Sequence, residues 1–248
     1  MLTRFTSILA GPIVSSSGDT ADDNLVVALV AGDSPDGKQS REVFAVTRKL
    51  VQKWIVCKSS QEKFLFSKDF SEEVESRIKA DLTEEGDLNI KVHDADFTRT
   101  CHLAILVSFC SSEEDSRRLC ILFGNPTPTE FFVAAAFYPR FDRAADDLRG
   151  HEPRLALCGG GPAAFVFLPD SGTLLATVLP LHSPSSTPLF DEAQMFKGGL
   201  AGFGTDCWRG GIRARDFVSA GEAVVLVPSH GLVDVEVNVA MVLKEGKK

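Results

Sequence analysis

The segment from residue 41 to residue 82 constrains the fold more than any other part of the sequence. It contains three short runs rich in β-branched and aromatic residues, 43–47, 50–57 and 64–67, separated by tight polar turns. Beyond the third run, Val74, Ile78 and Leu82 recur at helical spacing, which predicts a helix. Three antiparallel strands followed by a helix, within about forty residues, are typical of one blade of a β-propeller.

The start of the predicted helix carries a capping signature. Asp69 is followed three residues later by Glu72, the aspartate form of a capping box. We therefore expect the helix to begin directly after Asp69, with that side chain satisfying free backbone N–H groups.

Strand-like runs occur along the rest of the chain. Residues 101–110 are apolar enough to be buried on both faces of a sheet, whereas residues 141–153 are charged and predicted to be irregular. Together the patterns predict an all-β fold, a partial β-propeller of three to four blades with a short N-terminal amphipathic helix and one helix between strands. The further predicted strands are 25–31, 88–94, 118–124, 131–138, 155–158, 163–168, 173–179, 222–228 and 232–243.

Composition narrows the class of protein. The 248 residues are 44% apolar and 24% charged, with a formal charge of −8, so the chain is globular and its net field opposes direct nucleic-acid binding. The six cysteines show no CxxC spacing, which favours a reducing compartment. The sequence contains no run of about eighteen uncharged apolar residues, the length needed for a membrane-spanning helix.

The N-terminal segment 1–18 is predicted to be an amphipathic helix. Leu2, Phe5, Ile8 and Leu9 fall within an arc of about 120° on a helical projection, opposite Ser and Thr residues. Three interpretations remain open: a mitochondrial presequence, a short arm packed on the domain, and an interfacial helix. In the last case the nearly uncharged polar face would restrict binding to curved membranes with exposed packing defects.

Residue patterns typical of catalysis are sparse. His93 with Asp94, and Cys101 with His102, come nearest to a cluster, but adjacent residues of a regular strand point to opposite faces, so we expect no metal site. The sequence lacks the GxSxG, HExxH and GxxxxGK[ST] motifs. It predicts a non-enzymatic protein without a cofactor or small-molecule substrate. Residues 211–228 look like the opening strands of a SET methyltransferase, and a plain two-strand hairpin is the competing interpretation.

Several segments together resemble the N-terminal β-propeller of the nucleoporin-133 family, a scaffold of the Y-shaped outer-ring complex of the nuclear pore. VFAVTRKLVQKWIV and FLFSKDFSEEVESRI are similar to a strand ending in a Lys-Trp pair, here Lys53 and Trp54, followed by an Asp-led helix. LNIKVHDADF and CHLAILVSFC are similar to the family's next blade. RLALCGGGPAAFVFLPDSGTLLATVL is similar to the family's Gly-rich turn and closing strands. The likeness covers roughly residues 1–180.

The resemblance implies a structural role at the nuclear envelope. A propeller scaffold of the nuclear pore would bind other scaffold subunits and support nucleocytoplasmic transport and mRNA export. In this family a lipid-packing sensor precedes the Trp blade, which assigns Leu2, Phe5, Ile8 and Leu9 to binding curved pore membrane. Trp54 is expected to be core, not a binding residue. The alternatives are a divergent SET-like methyltransferase and a mitochondrial β-rich protein.

The resemblance also implies a division of the chain. We expect a packing-sensor-like segment at residues 1–18, a partial propeller at 25–180, and a strand-rich C-terminal extension at 190–248. Because the family's first blades and helical stack have no counterpart, the chain is expected to be a fragment, a truncated gene model or half of a split subunit.

Overall fold

Antiparallel strands make up most of the chain in a computed structural model. The described part contains sixteen strands and two helices. It comprises residues 25–33, 40–57, 62–83, 86–97, 103–111, 116–140, 142–144, 152–157, 163–169, 171–179, 187–197, 200, 202–205, 220–227 and 231–245.

The first sheet is a four-stranded antiparallel meander in chain order. Its strands are β1 (Leu25–Asp33), β2 (Ser40–Thr47), β3 (Leu50–Cys57) and β4 (Glu62–Asp69). Helix α1 (Ser71–Leu82) follows the fourth strand. The predicted blade is therefore confirmed, and β1 supplies the strand that completes it.

The second sheet contains four sequential strands and one short additional strand. These are β5 (Leu88–Phe97), β6 (Leu103–Ser111), β7 (Ser116–Pro126), β8 (Phe131–Phe137) and β9 (Asp142–Ala144), the last of which pairs with β7. The prediction that residues 141–153 are wholly irregular is thus wrong, because the start of this charged segment returns along the sheet.

The third and fourth sheets continue the same pattern of neighbouring antiparallel strands. The third comprises β10 (Arg154–Leu157), β11 (Ala163–Leu168), β12 (Thr173–Val178) and β13 (Phe190–Met195), and the fourth comprises β14 (Gly202–Thr205), β15 (Ala220–Val227) and β16 (Gly231–Asn238), followed by helix α2 (Val239–Glu245). Since β13 pairs with β12, the third sheet extends past the predicted propeller boundary at residue 180.

Consecutive sheets pack face to face and share three hydrophobic cores. In β6, Ile105 and Val107 face the first core, whereas Ala104 and Leu106 face the second. A strand can serve two cores because its side chains alternate between faces. The predicted burial of the 101–110 run on both faces is confirmed for residues 103–110. The first strands β1, β5, β10 and β14 also contact one another in succession.

The start of α1 differs from the predicted capping box. Phe70 occupies the N-cap position, with no side-chain cap hydrogen bond, because Asp69 still belongs to β4. The Asp69 carboxylate instead accepts the backbone N–H of Ser71 at 2.8 Å. The strand-to-helix corner is stabilised by burial of Phe70 and by its N–H, which donates to the Lys49 carbonyl at 3.0 Å.

The C-terminal strand is shorter than predicted. Residues 232–243 were expected to be one strand, but β16 ends at Asn238 and α2 begins immediately after it. The Asn238 side-chain oxygen accepts the backbone N–H of Met241 at 3.0 Å, which is the geometry of an N-cap. A local cap therefore overrides the strand preference of the valines that follow.

Gly124 is expected to tolerate no larger residue. A Cβ at this position in β7 would lie 2.4 Å from Phe131 Cζ and 3.0 Å from the Phe132 carbonyl oxygen. Phe131 cannot easily move, because it is 1% exposed and its ring lies 5.6 Å from that of Phe70. We expect Gly124→Ala to lower the free energy of unfolding by about 1–3 kcal/mol, measured by urea denaturation.

The control is the double variant Gly124→Ala/Phe131→Leu. If overlap with the ring causes the loss, the two substitutions will cost less together than the sum of the single costs. Strict additivity, or an unchanged denaturation midpoint for Gly124→Ala, would contradict the steric explanation.

Candidate functional site: a buried polar network on the second sheet

His93 in β5 is the centre of a buried polar network. Its Nε2 lies 2.7 Å from Ser108 Oγ in β6, and its Nδ1 lies 2.5 Å from a carboxylate oxygen of Glu152, just before β10. The histidine is 1% exposed. The imidazole ring therefore connects the second sheet to the segment that enters the third.

A β-bulge gives His93 this position. The pairing of β5 with β6 passes from Val92 opposite Val107 to Asp94 opposite Leu106, so His93 is an extra residue without a register partner. A bulge of this kind interrupts the alternation of side chains. The expectation that His93 and Asp94 point to opposite faces is wrong: both make hydrogen bonds on the side of the third sheet.

Two cations extend the network. Arg117 in β7 is 9% exposed and donates to Ser108 Oγ at 2.9 Å and to the side-chain oxygen of Asn89 at 2.7 Å. Lys91 Nζ forms an ion pair with Glu152 at 2.7 Å. Polar groups that would be costly to bury alone are thus paired with one another.

The donors and acceptors match if the imidazole is neutral. Arg117 can only donate, so the Ser108 hydroxyl accepts from it and gives its own hydrogen to His93 Nε2. The Nδ1–H then donates to the Glu152 carboxylate. Burial lowers the pKa of His93, and the neighbouring Glu152 only partly offsets this effect. Partial burial acts to raise the pKa of Glu152, but hydrogen bonds from His93 and Lys91 outweigh it and hold that pKa at about 2.

Carboxylates on β5 also hold the edge of the third sheet. Asp94 accepts the backbone N–H of Leu155 at 2.9 Å, and Asp96 accepts that of Leu157 at 2.8 Å. Burial raises the pKa of Asp94 to about 6 in spite of these hydrogen bonds. The β5 carboxylates therefore supply hydrogen-bond acceptors for backbone N–H groups of β10, the first strand of the third sheet.

The Ser108–His93–Glu152 arrangement resembles the geometry that activates a nucleophile. Its environment does not suit that chemistry, because Ser108 is 0% exposed and its oxygen already accepts a hydrogen bond from Arg117. A substrate carbonyl has no approach to the Oγ. The network is an internal connection between two sheets.

The predicted membrane-binding residues Leu2, Phe5, Ile8 and Leu9 lie outside the described residues. No helix in the described part of the chain is long and apolar enough to cross a membrane. Trp54 is buried, as predicted for a core residue, with its ring centroid 4.8 Å from that of Phe64.

The network residues other than His93 and Asp94 were missed by sequence reasoning. Ser108 stands in an otherwise apolar, buried strand, and a polar residue in such a run is a signal, since it needs a partner. Arg117 lies between Ser116 and Arg118 at the polar start of β7, so the sequence does not mark it as buried. Glu152 belongs to the charged segment 141–153, which the sequence predicts to be irregular, and no local pattern distinguishes it from its charged neighbours. Over the described residues no group of three or more His, Cys, Asp or Glu is placed to bind a metal ion.

Sequential antiparallel sheets that pack face to face, with their first strands in succession, define a partial β-propeller. Among solved structures, the chain is similar to the β-propeller domain of Nup133 from Vanderwaltozyma polyspora. The TM-score is 0.69 at 11% identity, and the match covers 90% of this chain and 59% of that chain. The TM-score shows a common fold, and at this identity it shows the fold alone.

A second match, to a protein from Lactobacillus plantarum, covers 88% of this chain and 69% of that chain at 12% identity. Its TM-score of 0.36 is too low to support an argument. No protein-family model and no curated protein sequence matches the chain. This chain spans 59% of the length of the Nup133 propeller that it matches.

Proposed function

We propose that this protein is a non-enzymatic scaffold nucleoporin of the outer ring of the nuclear pore. The observation that carries the proposal is the propeller fold shared with a Nup133 domain over 90% of this chain. In this role, blade surfaces would bind other scaffold subunits, and the chain would support nucleocytoplasmic and mRNA transport.

The buried network supports a structural role over an enzymatic one. The Ser–His–Glu geometry, which could suggest hydrolysis, belongs to a serine with 0% exposure. The methyltransferase alternative rests on residues 211–228, of which 220–227 form β15 and pair in register with β16. Calorimetric titration with S-adenosylmethionine distinguishes the two, and we expect no binding heat.

Localisation tests the proposed function directly. A fluorescently tagged full-length chain is expected to give a continuous nuclear rim and to copurify with outer-ring subunits. Diffuse fluorescence without copurification would contradict the proposal. A mitochondrial signal, with a mature N-terminus beyond about residue 15, would instead support cleavage of a presequence.

The N-terminal segment is proposed to detect membrane curvature. Leu2, Phe5, Ile8 and Leu9 would insert between lipid chains, each contributing about 1–2 kcal/mol. In flotation assays the full-length chain is expected to bind small neutral liposomes and not large ones. Phe5→Asp should abolish binding, because the substitution places a charge among the inserting side chains.

Thr6→Asp is the matched control, since it adds the same charge on the predicted polar face. It should retain binding to small liposomes. Equal binding to flat and curved liposomes, binding to neither, or equal loss in both variants would contradict curvature sensing by this face.

A further inference from the structure

A groove of about 440 Å³ lies at the edge of the core between the third and fourth sheets. Alternate residues of β13 form one side of it and residues of β16 form the other. Four apolar side chains of the groove remain partly exposed: Phe190, Phe196, Val233 and Val235. Phe165, deeper in the same core, is 0% exposed, so the groove is a place where this core reaches the surface.

The groove lies where the fourth sheet has a free edge. Each of the first three sheets has four strands in chain order, whereas the described part of the fourth has three, β14, β15 and β16. One edge of β16 pairs with β15, and within the described residues no strand pairs with the other edge. Because the groove lies between β13 and β16, a strand added at this free edge would cover its apolar side chains.

Two carboxylates flank the apolar side chains of the groove. Glu192 of β13 and Glu236 of β16 are both exposed, and the described lining contains no lysine, arginine or histidine. In the part of the chain that the structure describes, neither carboxylate forms an ion pair or a side-chain hydrogen bond. The groove therefore combines accessible apolar surface with negative charge that the protein does not neutralise there.

These features together specify the chemistry of an occupant. A free strand edge presents backbone N–H and C=O groups with which an extended segment can pair. The apolar side chains of the groove favour apolar residues on one face of that segment, and Glu192 and Glu236 favour Lys or Arg beside them. A second copy of this chain fits less well, because its β16 would bring a second Glu236 to the same edge and each copy carries a formal charge of −8.

We propose that β16 receives a basic, extended segment of a partner protein as an added strand of the fourth sheet. Apolar side chains on one face of the segment would pack on Phe190, Phe196 and Val235. Lys or Arg residues that alternate with them would pair with Glu236, and one that flanks them would reach Glu192 across the groove. This inference goes beyond the scaffold role and does not depend on the nuclear pore, because it rests on the groove and the strand edge alone.

The test is fluorescence polarisation with the full-length chain and a short labelled peptide in which lysines alternate with valines. We expect saturable binding that weakens as salt is added. Glu192→Lys/Glu236→Lys should raise the Kd about tenfold or more. The control Glu72→Lys/Glu130→Lys changes the net charge equally, at exposed glutamates outside the groove lining. It should leave the Kd unchanged at about 0.15 M salt, where distant charges are screened.

Two further peptides test whether the segment binds as a strand. A peptide of the same composition, with its lysines and valines in separate blocks, should bind weakly, because it cannot present apolar and basic residues on opposite faces. An alternating peptide with every backbone nitrogen methylated should not bind, because it cannot donate hydrogen bonds to a strand edge. The unmodified alternating peptide should also slow amide hydrogen exchange in β16 and leave exchange in β3 unchanged.

The proposal is overturned if the native chain does not bind the alternating peptide, as expected if the chain's own residues occupied the edge. It is equally overturned if both double variants behave alike, if the block or methylated peptide binds as well, or if exchange in β16 does not change. A dimer in size-exclusion chromatography that the peptide fails to dissociate would assign the edge to a second copy and also overturn it.

The thermal midpoint of Glu192→Lys/Glu236→Lys should equal that of the native chain, because both side chains are exposed. A folded variant that has lost peptide binding would support the proposal. A variant that has unfolded would be replaced by Glu192→Gln/Glu236→Gln, which removes both charges without reversing them and should also weaken binding.

Discussion

Substituting Phe165 by alanine is expected to lower the free energy of unfolding by about 3–5 kcal/mol. The Phe165 ring is 0% exposed and belongs to the core between the third and fourth sheets. Its removal forfeits the burial of a large aromatic side chain and leaves a cavity that two packed sheets can fill only in part. Urea denaturation followed by tryptophan fluorescence and circular dichroism measures the loss.

Phe132→Ala is the matched control. This residue of β8 is also a phenylalanine in a strand, but it is 62% exposed, so its removal should change stability by no more than about 0.5 kcal/mol. A similar loss in both variants would mean that the cost comes from strand propensity and not from the shared core.

The same variant tests whether the C-terminal extension folds with the blades. The core that contains Phe165 also contains Val227 of β15 and Val237 of β16. If the fourth sheet is stabilised by this core, Phe165→Ala should accelerate amide hydrogen exchange in both strands. Unchanged exchange there would indicate that β15 and β16 are stabilised independently of this core.

Most strands could be predicted because their signals are local. The alternation of apolar and polar residues in 88–92 and the continuous apolar run at 103–110 each follow from how many faces of the strand are buried. Since β6 and β11 lie between two cores, their sequences are apolar on both faces. The fold class followed from the order of such runs and from the turns between them.

The polar network could not be predicted, because its contacts are distant in sequence and depend on a bulge. Glu152 lies 59 residues from His93, and no local pattern relates the two. The bulge at His93 has no signature in the sequence. The rule that side chains alternate along a strand therefore predicted the wrong orientation for Asp94. The start of α2 could not be predicted for a different reason. Valines before and after Asn238 favour a continuing strand, whereas the Asn238 side chain caps a helix.

Replacing His93 by leucine is expected to lower the free energy of unfolding by about 2–4 kcal/mol at pH 7.5. Leucine preserves much of the volume, so the cost arises from hydrogen bonds. The buried Ser108 hydroxyl would lose its acceptor, and Glu152 would lose the Nδ1–H donor. Glu152 is partly exposed and can be rehydrated, so most of the cost is assigned to Ser108.

A second substitution separates the hydrogen bond from the packing. In His93→Leu/Ser108→Ala the unsatisfied hydroxyl is absent, so part of the lost stability should return. If the double variant is less stable than His93→Leu by the full cost of Ser108→Ala alone, the two residues are not coupled, and the network does not stabilise the junction between the second and third sheets.

The penalty for His93→Leu should also depend on pH. Because burial lowers the pKa of His93, the unfolded chain binds a proton there as the pH falls below about 6.5, whereas the folded chain does not. Wild-type stability from this residue is therefore complete above that pH and is lost as the pH falls. The leucine variant has no such loss, so the difference between the two should shrink toward pH 5.5, by at most about 1.4 kcal/mol per pH unit. Asp94, whose pKa of about 6 gives the opposite trend, is present in both proteins, so its contribution largely cancels in the difference. A difference that stays constant from pH 7.5 to 5.5 would mean that the His93 imidazole is not held neutral by its burial.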